Sequence, residues 1–181
     1  GRIQHSYDMD NTMRIIFAGG RVRFTSLQLR GLRYLVITIR NTDGPVHIHD
    51  IHICQTIYPS VEVGSFICED FKLNKIWEIS KNTTQLCMLD TFVDCPTYEQ
   101  VFWVGDCRNE ALISNYLFNA EKLTERCLKL VPQSAEITDL LCSQVPSGWS
   151  CVIPNWTFLW ILSCRDYYTR TGDTEFLKNR F

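Results

Sequence analysis

Near residues 60 to 70 the hydrophobic pattern of this chain changes period, and that change limits the possible folds more than any other feature. Up to about Pro59 the pattern is strand-like. Ile15-Ile16-Phe17 leads into the turn signal Gly19-Gly20, then Val22-Arg23-Phe24-Thr25, and then the β-branched and aromatic run Arg33 to Ile39. Asn41-Thr42-Asp43-Gly44-Pro45 is a turn, and a further strand is expected from Val46 to about Tyr58. Short strands separated by turns, with no helical period among them, predict a piece of an antiparallel sandwich.

After Gly64-Ser65-Phe66 the repeat becomes 3.6 residues. Asp70 is placed to cap a first helix, with Leu73, Ile76, Trp77, Ser80, Thr84 and Cys87 on one face, ending near Met88. A second helix is expected over Cys107 to Asn119, with Asp106 as its cap and Ala111, Leu112, Asn115 and Phe118 inward. A third, Glu121 to Leu130, is stopped by Pro132. Val145 to Pro154 reads as a loop carrying Trp149. Asn155 to Thr171 forms a fourth helix, and Thr171-Gly172-Asp173-Thr174 ends it and caps the next. Short connections between consecutive helices imply stacked helical hairpins. The expected class is therefore α+β: the C-terminal strands of a β-sandwich over 1–62, then helical hairpins over 63–181. Trp77, Trp156 and Trp160 lie on helical stripes and are expected in the core.

The 18 basic and 20 acidic residues are spread along the chain, so no basic stripe calls for a nucleic acid. No apolar run approaches the ~18 residues of a membrane span. The nine cysteines have no CxxC spacing and mostly lie in apolar or helical patterns, which favours reduced thiols and a cytoplasmic protein. His47, His49 and His52 invite a metal reading. On a regular strand, however, His52 falls on the face opposite the other two, so no metal site is expected.

One stretch breaks the local rules. Asp94 to Asp106 sets the carboxylates of Asp94, Glu99 and Asp106 among the rings of Tyr98, Phe102 and Trp103. A solvated loop has no need of such rings, and a core segment avoids unpaired charge. Carboxyls beside an apolar wall suit glycoside hydrolysis, where one must hold a proton for the leaving oxygen. Glu99 is the best placed for that. Trp103 could lie against a sugar face, and Asp94 or Asp106 could accept from hydroxyls. Trp149, in the Ser147-Gly148 loop, is a further ring that could face a ligand. The plainer alternative stays open: Asp94 as a turn residue, Asp106 as a helix cap, Glu99 as the partner of a lysine. A nucleophilic Cys95 or Cys107 lacks a histidine nearby in sequence.

The segment Asp94-Cys95-Pro96-Thr97-Tyr98-Glu99, followed by Trp103, Gly105 and Asp106, resembles the signature of bacterial α-L-rhamnosidases. In that family a barrel of six helical hairpins follows β-sandwich domains. Phe24 through Arg33-Tyr34 resembles the end of the sandwich, and Gly64-Ser65-Phe66 with Leu73-Asn74-Lys75-Ile76 resembles the first barrel helix. Ile153-Pro154-Asn155-Trp156 and Tyr168 to Asp173 resemble later helices. The resemblance implies an inverting glycosidase acting on terminal α-L-rhamnosyl or similar residues. Glu99 would be its general acid, Asp94 and Asp106 would hold sugar hydroxyls, and Trp103 would line the pocket. It implies a carbohydrate partner and no cofactor. The water-activating glutamate comes from a later part of the barrel, and no position here matches it. Tyr98 and Gln100 stand where the family often has arginines, and Phe102 where it often has glycine. The rival expectation is a carbohydrate-binding or structural piece without turnover, inactive by itself because the base is missing. The chain by itself is also expected to be poorly soluble, since half a barrel leaves apolar faces uncovered.

Overall fold

The computed structural model describes residues 12–136, 140–148 and 151–178. Five α-helices follow in order: α1 Phe71–Leu86, α2 Val104–Leu117, α3 Glu121–Leu130, α4 Pro154–Thr171 and α5 Thr174–Lys178, with a 3-10 turn over Val131–Glu136 after α3. Several boundaries have a local cause. The Asp70 carboxylate accepts from Lys72 N at 2.7 Å, meeting one of the free donors at the start of α1. The side chain of Asn74 closes the preceding turn by bonding both Cys68 N and Cys68 O. Pro154 opens α4 at a position where its missing N–H costs nothing, and Gly172 ends it with φ of 69°, a left-handed conformation that glycine adopts without strain. Asp173 then accepts from Phe176 N at 2.9 Å and starts α5.

The core lies between the end of α1 and the faces of α2, α3 and α4. Met88 and Phe92, joined as an antiparallel bridge, are fully buried. Around them pack Phe102, Val104, Cys107, Leu123, Cys127, Leu128 and Trp160. The inward stripe of α2 is Val104, Cys107, Ala111, Ser114 and Leu117, so Leu112 and Asn115, expected inside, are only half-buried. Trp160 is buried and donates to Leu128 O at 3.1 Å, tying α4 to α3. Arg108 Nε meets Asp166 Oδ2 at 2.8 Å, tying α4 to α2. Trp77 and Trp156 are half-buried against the same core.

The expected β-sandwich is not found among the described residues. Among the described residues there is no sheet, and the sole bridge in the N-terminal part is Glu62 with Phe118. The strand-like composition of residues 12–58 is real, but a strand is stable only when partners take up its backbone groups and cover one face. Here neither happens: most of the segment's apolar side chains, Ile16, Leu27, Tyr34 and Val36 among them, are exposed. The segment joins the helical part at a few points. Tyr58 N donates to Met88 O, Val63 N to Leu117 O, and Asn119 N to Val61 O. Gly64 sits so close to the end of α2 that a Cβ would lie 1.8 Å from Tyr116 O. α1 itself buries no residue fully, and Phe71, Leu73, Ile76 and Ile79 stay exposed. No helix is long and apolar enough to cross a membrane among the described residues.

Candidate active site

The loop between the Met88–Phe92 bridge and α2 is closed at its neck by a single residue. Asp94 N donates to Val101 O at 3.1 Å, and Asp94 Oδ1 accepts from Val101 N at 3.0 Å. The turn inside is held by Tyr98 N on Cys95 Sγ at 3.3 Å and by Gln100, whose φ of 53° is unusual for a residue with a side chain. Gln100 Nε2 stabilises that conformation by donating to Pro96 O at 2.6 Å and to Leu29 O at 3.3 Å. The N-terminal segment therefore reaches the edge of this loop, where Gly31 also lies: a Cβ there would be 2.1 Å from Thr97 Cγ2.

Glu99 is half-buried, and its Oε2 accepts from Trp103 Nε1 at 2.6 Å. This short bond to a carboxylate fixes the rotamer of Glu99. It also leaves Oε1 without a partner among the described residues. The wall expected around Glu99 is thinner than its sequence neighbours suggest, because Phe102 turns into the core and Tyr98 is exposed. Trp103 is the ring that meets it.

Asp106 is not the cap of α2. The helix begins at Val104, Trp103 stands in the cap position, and Val104 N is satisfied by Ser143 O at 2.8 Å. Asp106 lies in the first turn, half-buried, where the helix dipole favours a negative charge. Its carboxyl is nevertheless raised above its ordinary value, first by burial and then by the charges of Asp94 and Glu99. The plainer alternatives thus fail at two of three carboxylates. Asp106 caps nothing, and Glu99 is paired with an indole, not a lysine.

Glu110, which lies outside the Asp94–Asp106 stretch, joins the cluster. One turn beyond Asp106 on α2 and half-buried, it is pushed up to about 8 by burial, then by Asp106 and Asp94. No ion pair relieves any of these carboxylates among the described residues, and Arg108 on the same helix is taken by Asp166. The i, i+4 spacing from Asp106 was the signal that could have found it. Gly105, the tight spot of α2, lies under the ring of Trp156, where a Cβ would come within 2.5 Å. Trp149 lies outside the described residues.

Other candidates are placed elsewhere. All nine cysteines are free thiols. Cys107 is buried, and its thiol is raised well above its ordinary value by a hydrogen bond with Cys127 and by burial, which removes it as a nucleophile. The sulfur of Cys95 is an acceptor for the loop backbone. His52 Nδ1 meets the Asp50 carboxylate at 2.9 Å on an exposed segment. No group of three His, Cys, Asp or Glu that could hold a metal ion occurs among the described residues. What the site offers is one carboxyl oriented by an indole, beside three more that can accept from hydroxyls.

Comparison with known proteins gives this geometry a family. The bacterial α-L-rhamnosidase six-hairpin glycosidase domain matches residues 61–181. A GH78 family rhamnosidase from Bacillus sp. GL1, known from a crystal structure, is 62% identical over 66% of this chain and 13% of its own, with a TM-score of 0.65. An α-L-rhamnosidase from Dictyoglumus thermophilum is 22% identical over 67% of this chain and 14% of its own, with a TM-score of 0.61. A rhamnosidase from Klebsiella oxytoca, solved with rhamnose bound, is 20% identical over 67% of this chain and 24% of its own, with a TM-score of 0.51; these last two show a shared fold. No curated protein matches the chain. The chain spans between about an eighth and a quarter of the length of these relatives. It belongs to the bacterial α-L-rhamnosidase six-hairpin glycosidase family.

Proposed function

We propose that this chain supplies the acid side of an inverting glycosidase that removes terminal α-L-rhamnosyl, or similar, residues from glycosides. Glu99 protonates the leaving oxygen through Oε1. Asp94 and Asp106 hold sugar hydroxyls, and Trp103 lines the pocket while fixing Glu99; Trp149 is assigned to the substrate on sequence grounds. The observation that carries this reading is the 2.6 Å bond from Trp103 Nε1 to Glu99 Oε2, which spends one carboxyl oxygen on orientation and leaves the other for the proton. The family membership and the Klebsiella relative's bound rhamnose support the substrate class. Inversion needs a second carboxylate to activate water on the opposite face of the ring. That base belongs to a later part of the six-hairpin domain, so the activity is one of the whole protein. The α/α-barrel is the frame in which the two halves would meet, and the free cysteines suit the cytoplasm as its compartment.

The test is hydrolysis of α-L-rhamnosides by the whole protein and its Glu99→Gln variant. Loss of the acid should reduce kcat on an alkyl rhamnoside by about 10²–10⁴. Retention of turnover by that variant would remove Glu99 from the role, and absence of rhamnoside turnover in the parent would favour a binding module.

A further inference from the structure

The segment 143–145 clamps the far end of the acid loop. Val104 N donates to Ser143 O at 2.8 Å, Val145 N donates to Phe102 O at 3.3 Å, and Trp103 faces Gln144 as an isolated antiparallel bridge. The same segment is pinned to the start of α4, since Ser143 N donates to Cys151 O at 2.8 Å and Ile153 N donates to Ser143 Oγ at 2.6 Å. Directly opposed residues of an antiparallel pair send their side chains to one face, with Cβ atoms about 4.5–5.5 Å apart. The side chains of Gln144 and of Trp103, the residue that holds Glu99, therefore leave the pair on one face.

Gln144 is 2% exposed. Its Oε1 accepts from Ser147 Oγ at 3.3 Å, but its Nε2 has no acceptor among the described residues. Exchanging the amide oxygen and nitrogen leaves one end unmet, because the Ser147 hydroxyl serves either. A buried amide group without a partner destabilises a fold, and a methionine of similar length would fill the space without that cost. A side chain that breaks this rule opposite the residue that holds Glu99 points to a demand other than stability.

We propose, resting on Glu99 as the proton donor, that Gln144 is a positioning residue for the acid. It couples the loop carrying Ser147 to the Trp103 indole, and so fixes the orientation in which Trp103 Nε1 holds Glu99 Oε2. The carboxamide never touches the sugar; it sets where the proton is delivered. Such a role affects a substrate that needs protonation more than one whose leaving group departs unaided.

The experiment compares the parent whole protein with its Gln144→Met, Ser147→Ala and Glu99→Gln variants on an alkyl α-L-rhamnoside and on a nitrophenyl α-L-rhamnoside, with Tm measured for each. Gln144→Met should melt at or above the parent, lose about tenfold or more in kcat on the alkyl glycoside, and lose much less on the nitrophenyl one, with KM little changed. Ser147→Ala should move the same way by less. Parental kcat on both substrates, or an equal loss on both with a lowered Tm, would make Gln144 a packing residue and overturn the proposal. The Glu99→Gln protein separates the two levels. If it is crippled on the alkyl glycoside while Gln144→Met is unchanged, only the role of Gln144 falls. If it keeps parental kcat there, the acid assignment falls and takes this inference with it.

Discussion

Leu27 and Tyr34, in the N-terminal segment, are 97% and 88% exposed, whereas Met88 and Phe92, just before the acid loop, are 0%. Both regions are rich in large apolar side chains. The difference is in how each can be covered. A helix satisfies its own backbone and needs only a neighbour for its apolar stripe, so α2, α3 and α4 close on one another within about seventy residues. A strand needs partners for both its backbone and its face, and residues 12–58 find neither. The acid loop sits on the covered region, and the extended segment touches it through Leu29 and Gly31.

The contrast predicts a graded set of stability effects, which can be followed by urea unfolding with tryptophan fluorescence, since all five tryptophans lie beyond residue 76. Phe92→Ala should cost about 3–5 kcal/mol, because it empties the centre of the core. A smaller loss would mean the helical part is less tightly packed than its burial implies. Gly105→Ala forces a methyl against the Trp156 ring and should cost about 1–3 kcal/mol, with the quench or shift of tryptophan emission reporting the displaced ring.

Next comes pH. The Glu110 carboxyl, ordinarily at 4.5, is held at about 8 in the folded chain, so between those values the folded state binds the extra proton. Its contribution to stability is complete below about 4.5 and is lost as the pH rises through about 8; the raised Asp106 adds in the same direction. Glu110→Gln should flatten this slope, and an unaltered slope would contradict the assignment. Least affected should be Leu27→Ala, within about 0.5 kcal/mol. A larger loss would show that the N-terminal segment is covered in solution and would erase the contrast.

The helices were largely legible because their signals are local. Asp70, Pro154, Gly172 and Asp173 all act within one turn of themselves, and each sits where its type predicts. α2 starts earlier than its local pattern predicts, because its first free N–H is met from Ser143, far away in sequence. Its inward face runs through Val104, Cys107, Ala111, Ser114 and Leu117, with Leu112 and Asn115 at its edge. The strands failed because alternation records the wish for a covered face and not the presence of a partner. At the site, Glu99 and Trp103 were visible as a clash of charge and ring. Glu110 was hidden inside an ordinary helical pattern, and Gln144 became visible only when the chain brought it opposite Trp103.

The proposed transfer of a proton from Glu99 to the leaving oxygen is tested by the dependence of kcat/KM on leaving-group acidity across a series of α-L-rhamnosides. The whole protein should give a shallow slope and Glu99→Gln a steep one, with the two lines converging at the most acidic leaving groups. Parallel lines, with Glu99→Gln displaced by the same factor on every substrate, would contradict it.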